Sequence, residues 1–266
     1  DRLTGPLCDA VTGQNDSKAM LEKLERSNLF LVPLDGNRQW YRYHHLFREV
    51  LRSRLGEEQS DQLHELHRNA GDWYENNSQP AQVVRHALAG EDFARAAAVM
   101  EMEALEMMGR CEEPTLLEWF NILPEEIIRV RPVLSMYYGF ILLTHISPDE
   151  AEPWTIYAER WIDNPPDRPG LNDAVGSTAS EMVVTDEKAY RSLPGSIALT
   201  RAYRAGLVGD VETTLVYARQ ALENLPEDDN FWRGVATAFL GISYWTTGEL
   251  EAAYETFAEG VATLKL

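Results

Sequence analysis

Apolar residues recur at helical spacing along most of this chain and at strand spacing in one short stretch only. Met20, Leu21, Leu24 and Leu29 predict a helix from Ser17 to Asn28, with Ser17 as its N-cap. Phe30-Leu31-Val32-Pro33-Leu34 and Gln39-Trp40-Tyr41-Arg42-Tyr43 are short, aromatic and β-branched, which predicts two strands. Between them stands Asp35-Gly36-Asn37, and an Asp-Gly step is expected to supply the positive φ of a tight hairpin. Pro33 has no N–H to give to a ladder and suits an edge strand. Leu46, Phe47, Val50, Leu51 and Leu55 then mark a second amphipathic helix, and residues 5–13 fit a preceding one. Helix, two-stranded wing and helix predict a winged-helix module over residues 1–58.

Residues 59–130 read as an arm of consecutive helices. Leu63, Leu66, Ala70, Trp73 and Tyr74 form one stripe that ends near Asn76-Asn77. Pro80 opens the next helix, where a missing N–H costs nothing, and Val83, Val84, Ala87 and Leu88 follow. Phe93, Ala96, Ala97 and Met100 make a third stripe, and Leu116, Leu117, Trp119 and Phe120 a fourth. Short connections predict antiparallel neighbours. His64 and His67 share a helix face, but His-Glu-Leu-His is not the His-Glu-x-x-His of a zinc protease, and they read as ordinary surface or core residues. Met100, Met102, Met107 and Met108 read as packing residues.

Residues 131–266 carry a repeated helix-pair pattern. Gly209-Asp210-Val211 and Gly248-Glu249-Leu250 lie 39 residues apart, close to a tetratricopeptide period of about 34 with a lengthened linker. Leu240-Gly241 and Tyr244 occupy the large, small and aromatic positions of a first helix, and Ala253 and Phe257 the matching positions of a second. Gly139, Ala151 and Ala158 allow an earlier unit over residues 132–162. Residues 163–193, beginning in a Pro-rich run and ending before Pro194-Gly195, read as a long linker with one irregular helix. The fold class is therefore mostly α: a winged-helix module (1–58), a helical arm (59–130) and a tetratricopeptide-like array (131–266) cut at its C-terminal end.

Charge narrows the partners. Residues 1–55 hold nine Lys/Arg against seven Asp/Glu, whereas the remainder holds 15 against 36, giving −19 for the chain. Nucleic-acid affinity rests largely on neutralised phosphates, so an acidic body argues against direct DNA binding by residues 56–266. Cys8 and Cys111 are far apart and in no metal-binding spacing, as expected of a reducing compartment. Without a signal-peptide pattern or a stretch of about 20 apolar residues, the expected location is the cytoplasm, away from any membrane.

Three stretches carry a family resemblance: Leu3-Thr4-Gly5-Pro6-Leu7-Cys8, Leu21 to Phe30, and Tyr41-Arg42-Tyr43-His44-His45-Leu46-Phe47. They resemble the MalT-like, large ATP-dependent regulators of the LuxR family, which are similar to the signal-transduction ATPases with numerous domains. Gly71-Asp72-Trp73-Tyr74-Glu75 and Ala94-Arg95-Ala96-Ala97 extend it into the arm. Such proteins run from an ATPase core through winged helix, arm and superhelical sensor to a LuxR-type helix-turn-helix. The sequence holds neither a Gly-x-x-x-x-Gly-Lys-[Ser/Thr] phosphate loop nor the terminal helix-turn-helix, so the resemblance implies a central segment. It implies no cofactor for this segment itself, ATP or ADP for the full-length protein, self-association there, and DNA contact only through the C-terminal domain.

By the same resemblance His44 or His45 would touch a nucleotide held by the ATPase core; the alternative is that one caps a helix and the other packs beneath the wing. Stacked first helices would expose Met136, Phe140 and Leu143, then Leu199 and Tyr203, then Ala238, Ile242 and Trp245. Of these Phe140, Tyr203, Ile242 and Trp245 are the candidates for gripping a small effector or a regulatory protein, unless the next turn of the superhelix covers them. The expected function is a sensor segment that couples such binding to the ATPase switch; the alternative is a tetratricopeptide-type interaction scaffold. No nucleophile elbow, Cys-His pair or metal triad is present, so no enzyme activity is expected.

Overall fold

A computed structural model of the chain describes residues 2–58, 60–163 and 182–264. Two units emerge, residues 1–99 and 100–266. The fold is mostly α-helical, with one two-stranded sheet among the described residues.

The first unit begins with the winged helix: α1 (Gly5–Thr12), α2 (Ser17–Arg26), β1 (Leu31–Pro33), β2 (Tyr41–Tyr43) and α3 (His45–Glu58). β1 pairs antiparallel with β2 in the register Leu31↔Tyr43, Val32↔Arg42 and Pro33↔Tyr41. Leu3 bridges the other side of Tyr41, which leaves β1 at the edge with Pro33. Leu21, Leu31 and Tyr41 are buried together, with Leu3, Cys8, Leu24 and Tyr43 against them.

Three local expectations are corrected. Asp16, not Ser17, holds the N-cap position of α2, and the Ser17 N–H donates instead to the Asp9 carboxylate at 3.0 Å. The left-handed residue of the hairpin is Arg38 (φ 51°), not Gly36. The turn is held by the Asp35 carboxylate, which accepts from the Gln39 N–H at 3.0 Å and the Trp40 N–H at 2.7 Å. Those backbone bonds, Gln39 first, keep the carboxyl below its ordinary range. Finally, α3 buries none of its residues: Leu46 and Val50 face solvent, because Leu21, Leu31 and Tyr41 already fill the small core.

Three helices follow: α4 (Ser60–Asn76), α5 (Pro80–Ala89) and α6 (Phe93–Gly109), the last crossing the division between the units. Leu7, Ala70, Tyr74 and Val83 make a second buried cluster, joining α1, α4 and α5. Arg95 donates to Asp72 at 2.7 Å and to Glu75 at 2.5 Å, clamping the start of α6 to α4.

The second unit adds α7 (Glu113–Ile122), the short α8 (Glu125–Arg129), α9 (Pro132–His145), α10 (Pro148–Asp163), α11 (Glu187–Leu207), α12 (Val211–Asn224), α13 (Asn230–Thr247) and α14 (Leu250–Leu264). From α9 onward they form three antiparallel pairs, each crossing at a glycine. An added Cβ would lie 3.2 Å from Trp154 Cβ at Gly139, 2.4 Å from Leu225 Cγ at Gly195 and 2.6 Å from the Phe257 ring at Gly241. A small residue on each first helix thus admits a large one from the second, as in tetratricopeptide units. Gly209 (φ 76°) and Gly248 (φ 85°) take the left-handed conformation in the turns.

The reading of residues 163–193 as a linker is corrected at its C-terminal end. Residues 187–193 belong to α11, which Asp186 caps by accepting from Lys188 N at 2.9 Å and Ala189 N at 3.0 Å. The helix runs through Pro194-Gly195 because Gly195 is pressed against Leu225 and the Ala221 carbonyl. Residues 164–181 lie outside the described residues. Gly195→Ala should therefore cost about 1–3 kcal/mol, the range of overpacking, since its Cβ would also stand 3.0 Å from a backbone oxygen. Gly241→Ala should cost less, because Phe257 is partly exposed and its ring can turn. Urea unfolding of the two variants should give that order.

Candidate functional site

The face built by the first helices carries connected aromatic rings. Phe140 on α9 meets Tyr203 on α11 edge-on at 6.2 Å and Trp232 on α13 at 5.0 Å. Tyr203 in turn meets Phe239 on α13 at 5.2 Å, and Tyr137 stacks near Trp232 at 6.4 Å. Phe140, Tyr203 and Phe239 are half-buried, so part of each ring remains open to solvent. The fold thus brings two predicted residues, Phe140 and Tyr203, into contact. Ile242 and Trp245 lie farther along α13, both exposed, Trp245 to 63%. Met136, Leu143 and Leu199 do not line this face, being fully packed in the core.

Trp232 and Phe239 were not among the predicted residues. Trp232 sits in the first turn of α13, after the Asp229 cap and before the Gly241 crossing that marks the repeat. Its distance from the recognisable motif hid it, although aromatic residues at 232 and 239 share a helical face with 236 and 243.

A polar junction underlies this face. Glu101, fully buried, accepts from Arg131 at 3.0 Å, from the Thr185 N–H at 2.7 Å and from the Asp186 N–H at 3.0 Å. The Asp229 carboxylate caps α13 through Trp232 N and accepts from the Ser192 hydroxyl. Burial first, with Asp186, Asp229 and Glu101 nearby, pushes the Tyr137 phenol well above its ordinary pKa.

In the first unit, His44 and His45 stand at the start of α3, exposed, their rings 4.5 Å apart. The His44 N–H donates to the Phe30 carbonyl at 2.7 Å and its own carbonyl accepts from Arg48 N, so its backbone caps the helix while its side chain is open. Phe30, Val32, Leu46 and Val50 expose apolar surface in the same module, with Phe30 and Phe47 in ring contact at 5.1 Å.

A second polar region lies among α4, α5 and the start of α6. Its cavity, about 510 Å³, is lined by His64, His67, His86, Arg68, Glu91 and Arg95, among others. His67 Nδ1 lies 3.0 Å from His86 Nδ1, and His64 Nδ1 donates to the Gly90 carbonyl at 2.9 Å. Burial, then the neighbouring His67, lowers His86 to about 4; burial, then Arg52, lowers His67 as well. His86 lies 19 residues from its partner and had no motif to announce it.

The direction of the His86 displacement gives a pH dependence. The folded state holds His86 neutral, so stability is complete above about pH 6.5 and is lost as pH falls from there toward about 4. Partial exposure reduces the linkage, leaving a loss of about 1 kcal/mol by pH 5. Denaturant unfolding of the metal-free chain at pH 7.5 and 5 should show this difference, and His86→Gln should reduce it to the share that His67 contributes.

A winged helix followed by paired helices of the tetratricopeptide kind defines a mostly helical segment. Residues 1–63 match the family described as the MalT winged helix domain. The HTH-type transcriptional regulator MalT of Serratia proteamaculans is 27% identical over 243 residues, covering 91% of this chain and 25% of the relative. That of Klebsiella pneumoniae is 28% identical over 240 residues, 90% of this chain and 24% of the relative. The serine/threonine-protein kinase PknK of Mycobacterium tuberculosis is 33% identical over 150 residues, 56% of this chain and 14% of the kinase. The chain is similar to these MalT proteins over about nine-tenths of its own length, and it spans about a quarter of theirs. No solved structure matches it significantly. Among the described residues no helix is long and apolar enough to cross a membrane.

Proposed function

We propose that this chain is the sensor segment of an ATP-dependent transcription regulator. The winged helix (1–58), arm (59–130) and array (131–266) would divide the work of switching, transmission and effector binding. The observation that carries the reading is the ring-to-ring aromatic surface of Phe140, Tyr203 and Phe239, contributed by three successive first helices. Such rings can stack on a sugar or grip an apolar side chain. Coupling then requires the effector to bind one conformation of the array better than another. The exposed His44 and His45, beside the apolar Phe30, Val32, Leu46 and Val50, suit contact with a nucleotide and with the ATPase core that would hold it. Imidazole donates to phosphate and changes charge near neutral pH.

In this reading DNA is bound by a helix-turn-helix domain outside the chain, the full-length protein self-associates in the cytoplasm, and the segment has no catalytic role of its own. The name of the MalT relatives supports the transcriptional assignment. The second reading, a protein-interaction scaffold, is favoured by Ile242 and Trp245, whose exposure suits a helix or peptide better than an enclosed metabolite.

A thermal-shift titration against oligosaccharides, nucleotides, common metabolites and amphipathic peptides tests both. A ligand at about 100 times its dissociation constant adds about 2.7 kcal/mol to the folded state. A saturable small-molecule shift that Tyr203→Ala abolishes supports the sensor. A shift seen only with peptides, and lost in Trp245→Ala, supports the scaffold.

A further inference from the structure

We propose that His67 and His86 form a two-imidazole site for a divalent transition-metal ion, of the zinc, nickel or copper class, in the cavity among α4, α5 and the start of α6.

The geometry is that of a chelate. Two metal–nitrogen bonds of about 2.0–2.1 Å, set about 90–110° apart, place their donor atoms about 2.9–3.4 Å from each other. The two Nδ1 atoms are 3.0 Å apart. At present one of these nitrogens donates to the other, so one lone pair is already on offer. When the metal enters, the donating ring changes tautomer, its proton passing through solvent to Nε2, and both imidazoles stay neutral. The rings then turn slightly toward a common point in the cavity of about 510 Å³ that both line, where coordinated water is accommodated.

The site is braced on both sides. Tyr74 stacks on His86 with ring centres 5.4 Å apart and planes 24° off parallel. Gly90 fits against His67 only because it lacks a Cβ, which would lie 2.9 Å from His67 Cβ. Arg95 lines the cavity, but Asp72 and Glu75 already neutralise it, and the lining Glu91 and Asp92 offset Arg68. His64 is committed to the Gly90 carbonyl. No group of three or more His, Cys, Asp and Glu side chains suited to a metal occurs among the described residues. Water therefore completes the coordination, which sets the affinity in the micromolar range rather than that of a closed structural zinc site. Imidazole donors favour zinc, nickel and copper over magnesium or calcium.

Calorimetric titration of the tag-free, chelator-treated chain with zinc, nickel and magnesium chlorides tests this. Zinc and nickel are expected to bind at one site and magnesium not at all. His67→Gln and His86→Gln should each weaken binding by about tenfold or more, the scale of losses at altered metal sites. The double variant His44→Gln/His45→Gln and the double variant Cys8→Ser/Cys111→Ser should leave it unchanged. Binding that persists in His86→Gln, or no saturable binding by zinc or nickel, overturns the proposal. Should the two histidine variants fail to fold, electron paramagnetic resonance of the copper-loaded wild-type chain decides. Splitting from two imidazole nitrogens supports the site, and oxygen-only coordination overturns it.

Discussion

Glu101→Ala is expected to destabilise the second unit by about 3–5 kcal/mol, the cost of breaking a buried ion pair from one side. The carboxylate is fully buried and accepts from Arg131, itself almost buried, and from the backbone N–H groups of Thr185 and Asp186. Alanine removes the acceptor of all three at once. Arg131 also donates to the Thr185 hydroxyl at 2.9 Å, and Val183 N–H to the Val130 carbonyl at 2.9 Å, so the same junction seats the chain before α11 against the start of α9. Asp186, held there, caps α11, and α11 supplies Tyr203 to the aromatic surface. Glu101→Gln keeps the volume and one acceptor oxygen, and should cost about 2 kcal/mol, within the range for a weakened hydrogen bond to a charged group. Urea unfolding measures both. A loss below about 1 kcal/mol for Glu101→Ala, the scale of an exposed pair, would mean that water reaches the junction.

Trp232→Ala should cost a similar amount, about 3–5 kcal/mol, through the cavity that a large aromatic leaves. Trp232 is 1% exposed and touches Tyr137, Phe140 and Phe231. Its ring contacts add about 0.5–1.5 kcal/mol each beyond the buried area. Trp232→Phe fills part of the space and should lose about 1–2 kcal/mol, in the lower range of core truncations. In the proposed sensor the position would also matter for binding, since Trp232 packs against Phe140. Even a folded Trp232→Phe variant should therefore bind an effector of the aromatic surface less tightly, while peptides seated on Trp245 should be unaffected. Denaturant unfolding and the thermal-shift panel read the two effects separately.

The sequence was most informative where one residue type answers one local demand. Gly209 and Gly248 mark turns because the left-handed conformation there strains any residue with a Cβ. Gly241 and Phe257, read as repeat positions of a first and a second helix, lie against each other. Local signals failed where packing outweighed them. Pro194-Gly195 has the chemistry of a break, yet Leu225 needs the space that only glycine leaves, and α11 continues. Asp35-Gly36 marks the hairpin correctly, but the Asp35 carboxylate sets its shape and Arg38 takes the positive φ. The stripe Leu46-Phe47-Val50-Leu51 reads as a buried face, since periodicity states which residues share a face and not whether anything covers it.

By itself, then, the sequence determined the helical character of the chain, its winged hairpin, its repeat turns and its resemblance to MalT proteins, because these rest on spacings of a few residues and on short motifs. The tertiary structure alone decided that Glu101 meets Thr185, that His67 meets His86 and that the buried Trp232 packs behind Phe140. Helical periodicity fixes the direction in which a side chain leaves its own helix, whereas its partner is chosen by how whole helices cross, at distances in sequence that no local pattern spans.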